Sequence, residues 1–103
     1  MNVGFHSDAK AEITGAIEYF DTRSNGLGMR FFDEFADALN SILKRPESFP
    51  KVETLPDDRP YRRALLRKFR YAVIFEHTDD HIWIMAVVHT SREPNYWLGR
   101  SHP

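Results

Sequence analysis

At 103 residues the chain is sized for one domain, since single domains commonly run roughly 100–150 residues. It has no cysteine, which excludes disulfides, thiolate metal sites and a cysteine nucleophile and fits a reducing cytosol. Fourteen Lys/Arg against fifteen Asp/Glu leave a net charge of -1, whereas a dedicated nucleic-acid binder is usually basic overall.

The opening Met1–His6 has no apolar run of signal-peptide length, and no stretch approaches the roughly 18 apolar residues of a membrane span. The expectation is a cytoplasmic protein without membrane contact. Val3 and Phe5 alternate with polar neighbours and predict a short first strand. Ser7-Asp8 then reads as a helix start, the serine capping free N–H groups and the aspartate favouring the positive end of the dipole. Ala9, Ile13, Ala16, Ile17 and Phe20 follow at helical spacing, carrying the first helix to about Thr22. Ser24-Asn25-Gly26-Leu27-Gly28 breaks it.

A second helix is expected from Leu27–Met29, with Phe32, Phe35, Ala36, Leu39, Ile42 and Leu43 on one apolar stripe, and Pro46 stops it. The short connection predicts an antiparallel hairpin, with Phe31, Phe32 and Phe35 in the core. Four of the six prolines fall within residues 46–60, together with Asp57-Asp58, which gives a surface loop. Three strand-like runs close the chain: Arg62–Arg67, Tyr71–His77 and His81–His89, the last two joined by the polar turn Thr78-Asp79-Asp80. Strict alternation in the last run turns Ile82, Ile84, Ala86 and Val88 toward the helices, and Trp83, Met85, Val87 and His89 away from them. Residues Arg92–Leu98 suit a final helical turn and Gly99–Pro103 a frayed tail. The fold class is α+β: an N-terminal strand and a helical hairpin packed on a three- to four-stranded antiparallel sheet, as one domain over residues 1–103.

Charge divides along the chain. Residues 1–60 carry seven Lys/Arg and eleven Asp/Glu, and residues 61–103 carry seven and four, so the halves stand at -4 and +3. The basic bias lies in Arg62, Arg63, Arg67, Lys68 and Arg70. These residues suit nucleic acid, an acidic protein segment, or a solvated edge strand kept soluble by charge. With Trp83 and Trp97 they are the expected binding residues, on a sheet face left open as a positively charged docking surface.

Six stretches, in order, are similar to the RelE/ParE toxin superfamily, in particular to its plasmid-stabilisation-type members. They are Phe5-His6-Ser7-Asp8-Ala9, Gly26-Leu27-Gly28-Met29-Arg30-Phe31, Pro46-Glu47-Ser48-Phe49-Pro50, Arg62-Arg63-Ala64-Leu65-Leu66-Arg67-Lys68-Phe69, Tyr71-Ala72-Val73-Ile74-Phe75, and His89-Thr90-Ser91-Arg92-Glu93-Pro94-Asn95-Tyr96-Trp97. The resemblance implies the toxin of a type II toxin–antitoxin system, arresting growth and neutralised by a cognate antitoxin. It implies one of two modes: inhibition of DNA gyrase, as in ParE relatives, or ribosome-dependent cleavage of mRNA, as in RelE relatives.

Cleavage without a metal needs a base for the 2′-hydroxyl, a cation for the phosphate and an acid for the leaving oxygen. The candidates are His89 as acid–base group, Arg92 and Arg67 on phosphate, and Tyr96 as proton donor or stacking platform, with Trp97 stacking. The plainer reading has His89 ending a strand and Arg92 starting the last turn. Two departures favour it. Cleaving relatives resemble one another in an arginine where this chain has Tyr71, and in a basic cluster where this chain offers Arg92 beside Glu93. ParE-like action on gyrase is therefore the leading expectation, with an exposed Phe31 or Tyr19 on the hairpin available to engage it. RelE-like cleavage is the alternative, and an inactive or differently targeted member the third. His6, His77, His81 and His102 lack metal-ligand spacing, and no cofactor is expected.

Overall fold

The computed structural model describes residues 1–56 and 58–100, so the expectations for Asp57 and for residues 101–103, His102 included, lie outside the described residues. The elements run β1 (Asn2–Phe5), α1 (Ser7–Arg23), α2 (Leu27–Lys44), a 3₁₀ turn (Pro46–Ser48), β2 (Tyr61–Leu65), β3 (Tyr71–Thr78) and β4 (His81–His89). They match the expected order.

Residue His6, not Ser7, caps α1: its Nδ1 accepts the Asp8 N–H at 3.0 Å. The helix closes where the Ser24 N–H reaches the Phe20 carbonyl at 3.0 Å. The reversal needs Gly26, whose φ of 87° lies in the left-handed region. The free N–H of Gly28 is taken by Asp21 Oδ1 at 2.7 Å, so the end of α1 caps the start of α2.

Gly28 is also where the helices touch. A Cβ there would stand 2.5 Å from the Ile17 carbonyl oxygen and 2.7 Å from Asp21 Cγ. Alanine normally favours a helix over glycine by about 1 kcal/mol. Here Gly28→Ala should instead lower stability by about 1–3 kcal/mol, because backbone blocks the new methyl, a loss measurable as a lower urea midpoint at unchanged m value.

The sheet order is β1-β4-β3-β2, with β1 parallel to β4 and the other pairs antiparallel. Both helices lie on one face. Phe31 and Phe35 from α2 and Ala9 and Ala16 from α1 are buried there with Val73, Phe75, Ile82, Ile84 and Val87. Phe31 is wholly inaccessible and touches Phe20, Phe69 and Tyr71 at ring distances of 5.5, 5.3 and 5.0 Å. Its neighbour Phe32, expected in the core, is 41% exposed. Phe35, Leu39, Ile42 and Leu43 keep the expected facing, and Phe32 leaves the stripe, with Gly28 and Phe31 facing α1.

Strand β4 departs from strict alternation. Phe75 faces Ile84 and Ile74 faces Ala86, so Met85 is an inserted residue, a β-bulge. Beyond it the pattern inverts: Val87 joins the helical side, and His89 meets Tyr71 edge-on at 5.2 Å. Ala86 and Val88 belong to the other face with Trp83 and Met85. The expected facing is thus correct before the bulge and reversed for Ala86, Val87, Val88 and His89 after it.

The second face is not open. Val52, Ala72, Ile74, Met85, Ala86 and Trp97 form a second buried cluster, edged by Leu55, Tyr61, Tyr96 and Leu98. The segment after β4 covers the sheet as a series of turns, not a helix. Asn95 sits at φ 62° in the left-handed region, which interrupts any helical turn. We refer to residues 92–100 as the strap.

Candidate functional site

The strap is held by one acid from α1. Glu12 Oε1 accepts the Val87 N–H at 3.0 Å and Arg100 Nη1 at 2.9 Å, while Oε2 accepts Arg100 Nη2 at 2.9 Å and the Tyr96 hydroxyl. Arg100 Nη1 also donates to the Met85 carbonyl at 3.0 Å, and its Nε lies 3.6 Å from Asp8. The bidentate fork satisfies both carboxylate oxygens in a half-buried place. Burial pushes the Glu12 carboxyl up. The hydrogen bonds from Arg100, Tyr96 and the Val87 amide, with the guanidinium charge, outweigh this, and the group titrates below its ordinary 4.5. Burial and the hydrogen bond to Glu12 push the Tyr96 phenol up to about 12. The bond to Glu12 likewise raises Arg100.

Glu12 and Arg100 are the residues that sequence reasoning missed. Glu12 falls between Ala9, Ile13 and Ala16 on the buried stripe of α1, and a charged residue within an apolar stripe calls for a buried partner. Arg100, expected in a frayed tail, is fixed by three groups: the Glu12 carboxylate, the Met85 carbonyl and Asp8.

His89, Arg92 and Tyr96 do come together. They line a cavity of about 310 Å³ with Glu12, Tyr19, Tyr71 and Val87. They also border one of about 200 Å³ on the other side, with Arg63, Asn95 and Trp97. The Arg92 guanidinium lies 3.9 Å from the Tyr96 ring centroid, a cation–π contact on the ridge between the cavities. Burial and the nearby Tyr19 and Glu12 push the Tyr71 phenol up. His89 Nδ1 accepts the Ser91 N–H at 3.1 Å and lies 2.6 Å from Ser91 Oγ. An accepting Nδ1 puts the neutral ring's proton on Nε2.

The basic run does not form one surface. Arg62 turns inward and donates to the Phe49 carbonyl at 2.7 Å, and Arg63 pairs with Glu53 at 2.7 Å. Arg67, Lys68 and Arg70 are exposed around a groove of about 340 Å³ with Leu65, Leu66, Phe69 and Thr90. Their loop is pinned to α2 by Glu34 Oε1, which accepts the Arg67 and Lys68 amides at 2.9 and 3.0 Å. Arg67 is thus not in the cavities that His89 lines.

Trp97, expected to stack on a partner, is 3% exposed and packs edge-on to Tyr61 at 4.9 Å. Trp83 lies at the other end of β4, against His81 at 4.1 Å and over Gly4, where a Cβ would stand 2.5 Å from its ring. The positively charged open face expected from sequence is therefore corrected: its centre is buried under the strap, and the exposed cations lie at its margin. Among the described residues no three His, Asp or Glu side chains gather as a metal site, and no helix is long and apolar enough to cross a membrane.

A family profile described as the ParE toxin of the type II toxin–antitoxin system parDE matches residues 3–94. The chain is 31% identical over 91 residues to Toxin ParE2 of two Mycobacterium tuberculosis strains, spanning 87% of this chain and 82% of the relative. Among solved structures it is similar to a chain of the chromosomal ParDE toxin–antitoxin system from P. aeruginosa. The TM-score is 0.63 at 11% identity, over 86% of this chain and 95% of that one, a likeness of fold. With the profile and the curated relatives agreeing over nearly its whole length, this chain belongs to the ParE toxin family of type II toxin–antitoxin systems.

Proposed function

We propose that the toxin acts by binding DNA gyrase and is neutralised by a cognate antitoxin, without cutting RNA. The observation that supports this reading is the engagement of the acid–base candidates. The Tyr96 hydroxyl donates to Glu12 and is held near 12, far from the neutral range in which a proton donor works best. Ser91 occupies His89 Nδ1, so the neutral ring carries its proton on Nε2 and leaves no free acceptor nitrogen to serve as a base. Arg92 lies over an aromatic ring, and Arg67 lines another groove.

The cavity lined by three tyrosines, His89 and Arg92 favours the second reading, in which a base stacks and a phosphate is held. One comparison separates the two. Purified protein should block gyrase supercoiling without cutting ribosome-bound mRNA, and His89→Ala should leave that block unchanged. Loss of a general base in a nuclease would instead lower cleavage about 10²–10⁴-fold, and finding that loss would replace the gyrase reading.

For the antitoxin, the exposed Arg67, Lys68 and Arg70 beside the apolar Leu65 and Leu66 suit an acidic, partly apolar segment. Arg62 and Arg63, turned to partners within the chain, contribute less to such a contact.

A further inference from the structure

The outer edge of β2 and the stretch of β4 that runs past β1 are covered in different ways. The outer edge of β2 is met by the segment before it: Val52 N–H bonds to the Tyr61 carbonyl and Arg63 N–H to the Pro50 carbonyl, both at 3.0 Å. The outer edge of β4 is covered by β1 only as far as Ile84, where the His6 N–H makes the last bond at 2.9 Å. Beyond that point the chain leaves as α1, and the bulge turns the Met85 carbonyl and the Val87 N–H outward from β3. Buried backbone groups of this kind require partners. They find them in side chains: Arg100 for the carbonyl, Glu12 for the amide. Two side chains do the work of a continued strand, and the same two groups bind each other.

We infer that Glu12 and Arg100 form a clasp that closes the strap over the sheet, and that its opening uncovers the Met85–Val87 edge and the floor beneath Trp97 while the hairpin-covered core stays folded. The division of the interior supports this. Every buried hydrophobic side chain that α1 and α2 contribute lies in the first cluster, on their own face of the sheet. Trp97, Tyr96 and Leu98 pack only in the second, on the opposite face. Among the described residues, the strap's hydrogen bonds and ion pairs to the hairpin run to Glu12 and Asp8. A segment that buries its apolar groups in a separate cluster, and is tied to the hairpin through two acids, is the kind of unit that opens below the global unfolding free energy.

Arg100 and Glu12 are positioning residues in this account. Arg100 holds the strap, and Glu12 holds both the strap and the β4 edge, so their substitutions have different signatures. The measurements are hydrogen exchange of the backbone and acrylamide quenching of Trp97 in a Trp83→Phe background, on the full chain. Arg100→Ala should make Trp97 quenchable while the Val87 amide, still bonded to Glu12, keeps its protection. Glu12→Ala should release both, with the Val87 amide exchanging roughly tenfold faster, the factor that loss of one ordinary hydrogen bond gives. Amides of α2 and of β3 should keep their rates in both variants. Arg100→Lys, which keeps the charge but not the fork, should fall between wild type and Arg100→Ala. Two outcomes would overturn the inference: Trp97 staying shielded in both alanine variants, or α2 amides accelerating as much as Val87, which would make the strap part of one cooperative core.

Discussion

Replacing Phe31 with alanine should cost about 3–5 kcal/mol, the range for removing a buried aromatic ring from a core that cannot fully collapse. The ring is inaccessible and is enclosed by Phe20, Phe69 and Tyr71, so the space it leaves is walled by large, stiff groups. In a domain of this size each kcal/mol lowers the melting temperature by about 4–8 °C, so the variant should be largely unfolded near 37 °C. Phe32→Ala, one position along and 41% exposed, should change stability by less than about 0.5 kcal/mol. Urea titrations of both variants test the assignment of inward and outward ring. Equal losses would mean that the helix is turned differently from the structure described.

Glu12→Ala should be the most damaging substitution of a charged residue, at about 2–4 kcal/mol. It leaves the Val87 amide without an acceptor and Arg100 with only the more distant Asp8 as counter-charge. The loss is bounded by what the strap contributes, because opening the strap lets water reach both groups. Breaking the exposed Arg63–Glu53 pair should cost less than about 1 kcal/mol. The pH dependence has a definite sign. Because the folded state holds the Glu12 carboxyl below its ordinary 4.5, its stabilisation is complete above the unfolded value and is lost as pH falls through the lower folded one. Glu12→Gln should therefore flatten the acid limb of the stability profile below about pH 5, which denaturation at stepped pH would measure. An acid limb unchanged by that substitution would place the responsible carboxylates elsewhere.

Element order and boundaries were legible because helix and strand periods are local properties, and Gly26, Pro46 and the Asp79-Asp80 turn punctuate them. What could not be read depended on pairs of elements. Phe31 and Phe32 are equivalent to a periodicity argument, and only the contact of α1 with Gly28 selects between them. The bulge at Met85 arises from the register between β3 and β4, so no residue announced that Ala86, Val87, Val88 and His89 would exchange faces. The strap has no period at all, which left Trp97 as an apparent surface residue although its ring completes a cluster with Val52 and Ile74. His89, Arg92 and Tyr96, singled out from the sequence, line one cavity. The partner that sets their chemistry, Glu12, was signalled only as an acid on an apolar stripe, and the second signal, Arg100, lay 88 residues away.

The pairing of β1 with β4 has a consequence for when the molecule becomes whole. Residues 2–5 are synthesised well before their ladder partners, residues 81–84. The helical hairpin and the β3–β4 hairpin use near neighbours and form early, whereas closing so long a loop comes late. A nascent chain thus carries β1 unmatched until β4 is made. A toxin assembled in that order reaches the fold described here only after β4 has been translated.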